Sequence, residues 1–185
     1  MAHSAFPALA EGVYAALATP CREDSIEPDT AALLARRGAY LTPTLCVTRS
    51  EPWMRANGFA EHTIANAANA ADEHLASVRR AISAGVTLLN GTDYPPGDLV
   101  DGVPVAVHEL LLMAEAGLTP LQALQSVSVS AARLLGIDSF VGQVRPGYVA
   151  DLIAVDANPL ADLSALRAIS LVVQAGTVLV DMGIR

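Results

Sequence analysis

Apolar residues recur at helical spacing over 61–84, where Leu75, Val78 and Ile82 share one face and Gly85 supplies a stop. The pattern then shortens to the apolar run Val86-Thr87-Leu88-Leu89, read as a strand that ends in Asn90-Gly91-Thr92-Asp93. Segment 94–102, with its prolines, glycines and aspartates, reads as loop. Helix returns over 103–116, stopped by Gly117, and Thr119-Pro120 opens another that runs to 126, with proline at its first turn. Ser128 or Ser130 caps the next, which ends at Leu135-Gly136. Before all of these, 7–18 reads as a short helix interrupted by Pro20, Cys21 and Arg22. Asp29-Thr30 caps a helix over 30–37 that ends at Gly38, and 39–47 is an extended apolar run kinked at Pro43. Residues 48–60 form a loop with one helical piece. From Gly142 the texture turns to strands: 151–156, then 171–173 and 177–180 joined by Gln174-Ala175-Gly176 as a hairpin, with a helical turn within 157–168.

Helices and short apolar strands alternating to about residue 137 point to an α/β unit, followed by a small β-rich appendix. At 185 residues the chain can bury about 70% of its unfolded surface. Hydrophobic residues make up 52% and charged residues 16%, which excludes disorder. The net charge of −8 repels phosphate backbones and makes a nucleic-acid partner an unsuitable reading. No apolar run reaches the ~20 residues of a membrane span, and no basic stretch precedes an apolar one at the start, so neither a membrane nor a signal peptide is expected. Cys21 and Cys46 make no disulfide framework and lack metal-ligand spacing; they read as reduced, packed thiols of a cytoplasmic protein.

Chemistry can sit at few places. A strand that follows a helix and ends in a carboxylate suits an α/β barrel, whose chemistry lies at the C-terminal ends of parallel strands. Asp93 is therefore a candidate metal ligand and proton carrier, although an aspartate in a Gly/Pro-rich loop also serves as plain turn chemistry. His3 is a candidate ligand by residue type, or a terminal residue without a role. His62 and His74 stand about 18 Å apart along one helix, too far to share an ion, and read as solvated or packed. His108-Glu109 lacks the second histidine of a zinc-protease helix. There is no phosphate-cradling glycine loop and no Gly-x-Ser-x-Gly elbow.

One long stretch is more specific than any single residue. It begins with Val78-Arg79-Arg80-Ala81-Ile82-Ser83-Ala84-Gly85-Val86, continues in Gly91-Thr92-Asp93, and runs on through His108-Glu109-Leu110-Leu111-Leu112 and Ala116-Gly117-Leu118-Thr119-Pro120. Ser130-Ala131-Ala132-Arg133-Leu134-Leu135-Gly136 and Gly142-Gln143-Val144-Arg145-Pro146-Gly147 follow in order. This sequence resembles the C-terminal part of amidohydrolase-superfamily enzymes of the imidazolonepropionase and Xaa-Pro-dipeptidase kind. Ser25-Ile26-Glu27 and 38–45 are similar to that family's sixth and seventh strand regions, and Ala2-His3 to the end of its fifth.

The resemblance implies the second half of a (β/α)8 metallo-hydrolase barrel over 1–137 and part of a small β-sandwich over 138–185. It implies a divalent metal, zinc being the expected ion, and hydrolysis of a carbon–nitrogen bond in a cyclic amide, an N-acyl compound or a dipeptide. Asp93 would be the acid/base and a metal ligand, and His3 a second ligand. The family's first-strand His-x-His pair and fourth-strand lysine have no counterpart after Met1, and Pro28 stands where its sixth-strand histidine should follow Ser-Ile-Glu. Two ligands should hold metal weakly. A second reading is therefore a catalytically inactive half-barrel remnant that oligomerises, or pairs with a missing N-terminal half; in the first reading the partner is a small-molecule substrate.

Overall fold

The computed structural model describes residues 15–17 and 25–183; His3 and Cys21, and most of the helix expected over 7–18, lie outside them. Strands β1 (Ala15–Leu17), β2 (Tyr40–Thr42) and β3 (Thr87–Leu88) form one parallel sheet in that order. Ala15 pairs with Tyr40 and Leu17 with Thr42, so the end of the expected 7–18 helix is instead a strand. Pairing with β2 overrides the helical preference of an Ala-rich segment.

Helix α1 (Pro28–Arg36) makes the crossover from β1 to β2. It starts two residues before the expected Thr30, because Pro28 fills the first turn, where a missing N–H costs nothing. The extended run expected over 39–47 is also shorter. Pro43 cannot donate to the ladder and Thr44 takes a φ of 50°, so the chain leaves the sheet and coils into α2 (Cys46–Arg49). Helices α3 (Glu51–Ala56) and α4 (Glu61–Ser83) complete the second crossover. After Gly85 the chain enters β3, which pairs with β2 through Leu41 and Leu88.

Beyond β3, the ribbon of β4 (Leu99–Val100) and β5 (Val103–Pro104) leads into α5 (Val105–Glu115). Helix α5 is apolar nearly all round because it serves two cores. Val105, Leu112 and Met113 join Leu41, Leu45, Leu75, Val78 and Leu88 in one, while Val107 and Leu110 join Ala123, Leu163 and Leu166 in the other. Thr119 caps α6 (Pro120–Ser126) with a reciprocal box, its side chain accepting from the Gln122 amide while the Gln122 side chain accepts from the Thr119 amide. Helix α7 (Val129–Leu134) follows.

The appendix is an antiparallel sheet of β6 (Leu152–Val155), β7 (Ile169–Gln174) and β8 (Thr177–Asp181), with a 3-10 helix at Leu163–Arg167 packed on α5. Ala175 and Gly176 both have positive φ, the conformation a two-residue hairpin turn needs. The architecture is thus two successive β–helix–β crossovers in one parallel sheet plus a three-stranded ribbon. Among the described residues no barrel closes: the parallel sheet has three strands.

Candidate active site

The site stands at the C-terminal edge of the parallel sheet, where β2 and β3 run out side by side. The Leu89 N–H still donates to Leu41 O at 2.8 Å, and then the two chains crowd together. A Cβ on Gly91 would lie 2.5 Å from Thr42 Cγ2, so only glycine passes there. Two residues on, Asp93 takes a φ of 56°, a left-handed conformation that aspartate tolerates better than most residues. Its side chain is exposed at this edge.

Asp93 is bracketed by two held neighbours. Tyr94 N donates to Thr92 Oγ1 at 3.2 Å, closing a tight turn around it. The Tyr94 ring stacks on Trp53 with centroids 3.9 Å apart, and Tyr94 Oη donates to Cys46 O at 3.2 Å. Cys46 Sγ in turn donates to Thr92 O at 3.0 Å. Beside the stack, Trp53 Nε1 donates to Asp98 Oδ2 at 3.1 Å. Of these residues Trp53 and Asp98 also wall a neighbouring cleft of about 410 Å³, whose other polar lining is Asn57 and Asp101.

Under this edge lies Glu109, fully buried on α5. Its Oε1 accepts from the Leu45 amide and its Oε2 from the Cys46 amide, each at 2.8 Å. Desolvation dominates its titration and lifts it to about 7, against the lowering effect of the two amides. Burial likewise pushes the Cys46 thiol well up, with the Glu109 charge adding to it, so Cys46 is a protonated donor rather than a nucleophile. Tyr94 is raised to about 12 by the same loss of solvent.

The histidines do not converge on Asp93's turn. His74 is buried in the α4 core, its Nε2 donating to Pro43 O at 2.8 Å and its Nδ1 lying 2.9 Å from Thr48 Oγ1. Desolvation lowers it to about 4, which makes it a neutral packing residue. His62 is exposed, and His108, lowered chiefly by burial, sits 3.4 Å from Ser50 Oγ. His3, the other expected ligand, lies outside the described residues. Among the described residues no three His, Cys, Asp or Glu side chains gather as a metal site. Asp93 alone does not fit a zinc centre, which takes three or four protein ligands.

The sequence singles out Asp93 by its place after a strand, and gives Glu109, Cys46 and Tyr94 no comparable mark. The available signal was a charge set inside the apolar run Val107 to Met113, where an unpaired carboxylate would be too costly to bury.

The model of the amidohydrolase family matches residues 14–179. Ochratoxinase of Aspergillus niger is 29% identical over 161 residues, covering 84% of this chain and 32% of that protein. Imidazolonepropionase of Rubrobacter xylanophilus is 34% identical over 80 residues, 43% of this chain and 19% of that one. A crystal structure of a Xaa-Pro dipeptidase with methionine bound in its active site superposes with a TM-score of 0.69 at 28% identity, over 82% of this chain and 37% of that one. The chain thus spans about a third of the ochratoxinase length. With the family match running over most of its residues, this chain belongs to the amidohydrolase family.

Proposed function

We propose that this chain carries part of the active site of a hydrolase acting on carbon–nitrogen bonds of small amides: cyclic amides, N-acyl compounds or dipeptides. The observation that carries the reading is the position of Asp93, exposed in the loop that leaves the C-terminal end of the parallel strand β3, the side on which such folds do their chemistry. In this reading the Asp93 carboxylate accepts a proton from the attacking water as its oxygen bonds to the carbonyl carbon. It returns that proton to the nitrogen as the C–N bond breaks. The names of the relatives, a Xaa-Pro dipeptidase and an imidazolonepropionase, support the substrate class.

A divalent metal, with zinc as the expected ion, belongs to this proposal only with ligands beyond the described residues, His3 among them. The proposed division is a partial (β/α) barrel over 1–137 and a β-rich segment over 138–185. The proposed compartment is the cytoplasm; among the described residues no helix is long and apolar enough to cross a membrane.

The test is a hydrolysis screen on dipeptides and N-acyl amino acids, with and without added Zn²⁺, on the wild type and Asp93→Asn. Turnover that needs the metal and falls at least 100-fold in the variant is the expected result. Turnover indifferent to Asp93→Asn would overturn the role of this residue, and a silent wild type would overturn the reading for this chain. Metal analysis after dialysis should find less than one tightly held zinc per chain, since two ligands chelate poorly. One or two retained ions would show a fuller ligand set than His3 and Asp93.

A further inference from the structure

Glu109 is the one fully buried carboxylate among the described residues, and the proposed reaction does not use it. A carboxylate is an expensive choice for an apolar helix, so its two contacts should matter. Both go to the turn after β2: Oε1 takes the Leu45 amide and Oε2 the Cys46 amide. Cys46 is also the residue that grips the Asp93 loop twice. Its thiol reaches the carbonyl of Thr92, and its own carbonyl receives the hydroxyl of Tyr94. Thr92 and Tyr94 are the immediate neighbours of Asp93 on either side. The left-handed φ at Asp93 is a strained state for a residue with a side chain, and it persists only where its surroundings over-determine it.

We propose that Glu109 is a positioning residue for Asp93, acting through Cys46: its carboxylate fixes the turn that holds Thr92 and Tyr94, and so the left-handed backbone that presents the Asp93 carboxylate. This rests on the hydrolase reading above for its catalytic consequence, but not for its structural one. A carboxylate is required because both partners are N–H donors. A carboxamide of the same shape offers one acceptor, and its NH₂ would meet the second amide donor to donor. A thiol at residue 46 is required only as a donor to Thr92 O, so serine can replace it and alanine cannot.

The experiment uses Glu109→Gln, Cys46→Ala and Cys46→Ser in the full chain, with two readouts. The first is the Asp93 φ, from its three-bond HN–Hα coupling and residual dipolar couplings. Wild type and Cys46→Ser should report the left-handed value. Cys46→Ala and Glu109→Gln should report an averaged one, while residues of α4 and β7 keep native values. The second readout is turnover of a dipeptide that the wild type hydrolyses. kcat should fall 10- to 100-fold in Cys46→Ala with KM changed less than threefold, and Cys46→Ser should return within threefold of wild type. Should Glu109→Gln fail to fold, Glu109→Asp, which keeps a carboxylate but draws it back by one methylene from the Leu45 and Cys46 amides, carries both readouts for Glu109, while Cys46→Ala carries them for the thiol. An unchanged Asp93 φ and kcat in folded Cys46→Ala would overturn the proposal and leave the hydrolase reading standing. A wild type without turnover would overturn the hydrolase reading instead, and the Asp93 φ alone would then decide whether Glu109 and Cys46 set its backbone.

Discussion

Two buried titratable side chains pull this protein's stability in opposite directions with pH. Glu109 is raised in the fold from an ordinary value of 4.5 to about 7, because loss of solvent outweighs its two amide bonds. The native state therefore holds its proton more tightly than the unfolded chain does. The contribution is complete below about 4.5 and is lost as pH rises through 7. His74 is lowered from 6.5 to about 4, so the native state binds its proton less tightly. Its contribution is complete above 6.5 and is lost as pH falls towards 4. Urea unfolding of wild type against Glu109→Gln should thus show the wild type losing ground from pH 5 to 8. Against His74→Gln the wild type should lose ground from pH 7 to 4. A difference that runs the other way for either pair would contradict the burial that sets these values. A third buried group bears on strain. Thr44 Oγ1 has no hydrogen-bond partner among the described residues, so Thr44→Val should leave stability equal or raise it by up to about 1 kcal/mol in the same assay. At the candidate site Asp93 stands out in the sequence, because its place after a strand is a local pattern. Glu109, Cys46 and Tyr94 come together across 63 and 48 positions of chain, and no local pattern encodes such pairings.

At the level of elements, agreement follows length and periodicity. The long helix expected over 61–84 is α4 at Glu61–Ser83, and the one expected up to 126 is α6 at Pro120–Ser126. Both carry end signals that act within a turn. The Thr119 cap makes the second case testable: Thr119→Ala removes one half of a reciprocal box and should cost about 1 kcal/mol by urea unfolding. Strands were harder to read because their bounds are set by partners. Ala15–Leu17 is a strand only through β2, and β2 itself stops at Thr42, where Pro43 and the left-handed Thr44 turn the chain away. The site depends on how closely β2 and β3 run out together, and Gly91 marks that closeness. Gly91→Ala would push a methyl to 2.5 Å from Thr42 Cγ2 in a sheet held by the Leu89–Leu41 bond. It should destabilise by about 1–3 kcal/mol, the usual cost of overpacking. A thermal midpoint equal to wild type would mean that the strands part there without cost.

For the molecule as a whole, apolar surface and net charge act against each other. Strand β8 is exposed along its full length, with Val178, Leu179 and Val180 each more than two-fifths accessible, and Met182 beyond it at 75%. Ile153 on β6 adds to the same sheet at 53%. Among the described residues β8 pairs on one side only, with β7, so its other edge offers unpaired backbone groups beside apolar side chains. Such an edge is a template for another strand, whether that strand comes from the rest of a longer chain or from a second copy. A charge of −8 opposes association of copies, but charge repulsion is screened beyond about 8 Å at physiological salt, whereas burial of apolar area is not. Self-association of this chain should therefore strengthen as salt is added, which is opposite to the behaviour of a contact built on ion pairs. Sedimentation velocity over a roughly hundredfold range of protein concentration should show the mean sedimentation coefficient rising with concentration, more steeply at high salt. Leu179→Lys places a charge on the exposed strand without touching either core and should flatten that rise. A coefficient constant in concentration and salt for the wild type would mean that this sheet is content in water, and would remove the ground for reading the chain as a half-barrel that pairs with copies of itself.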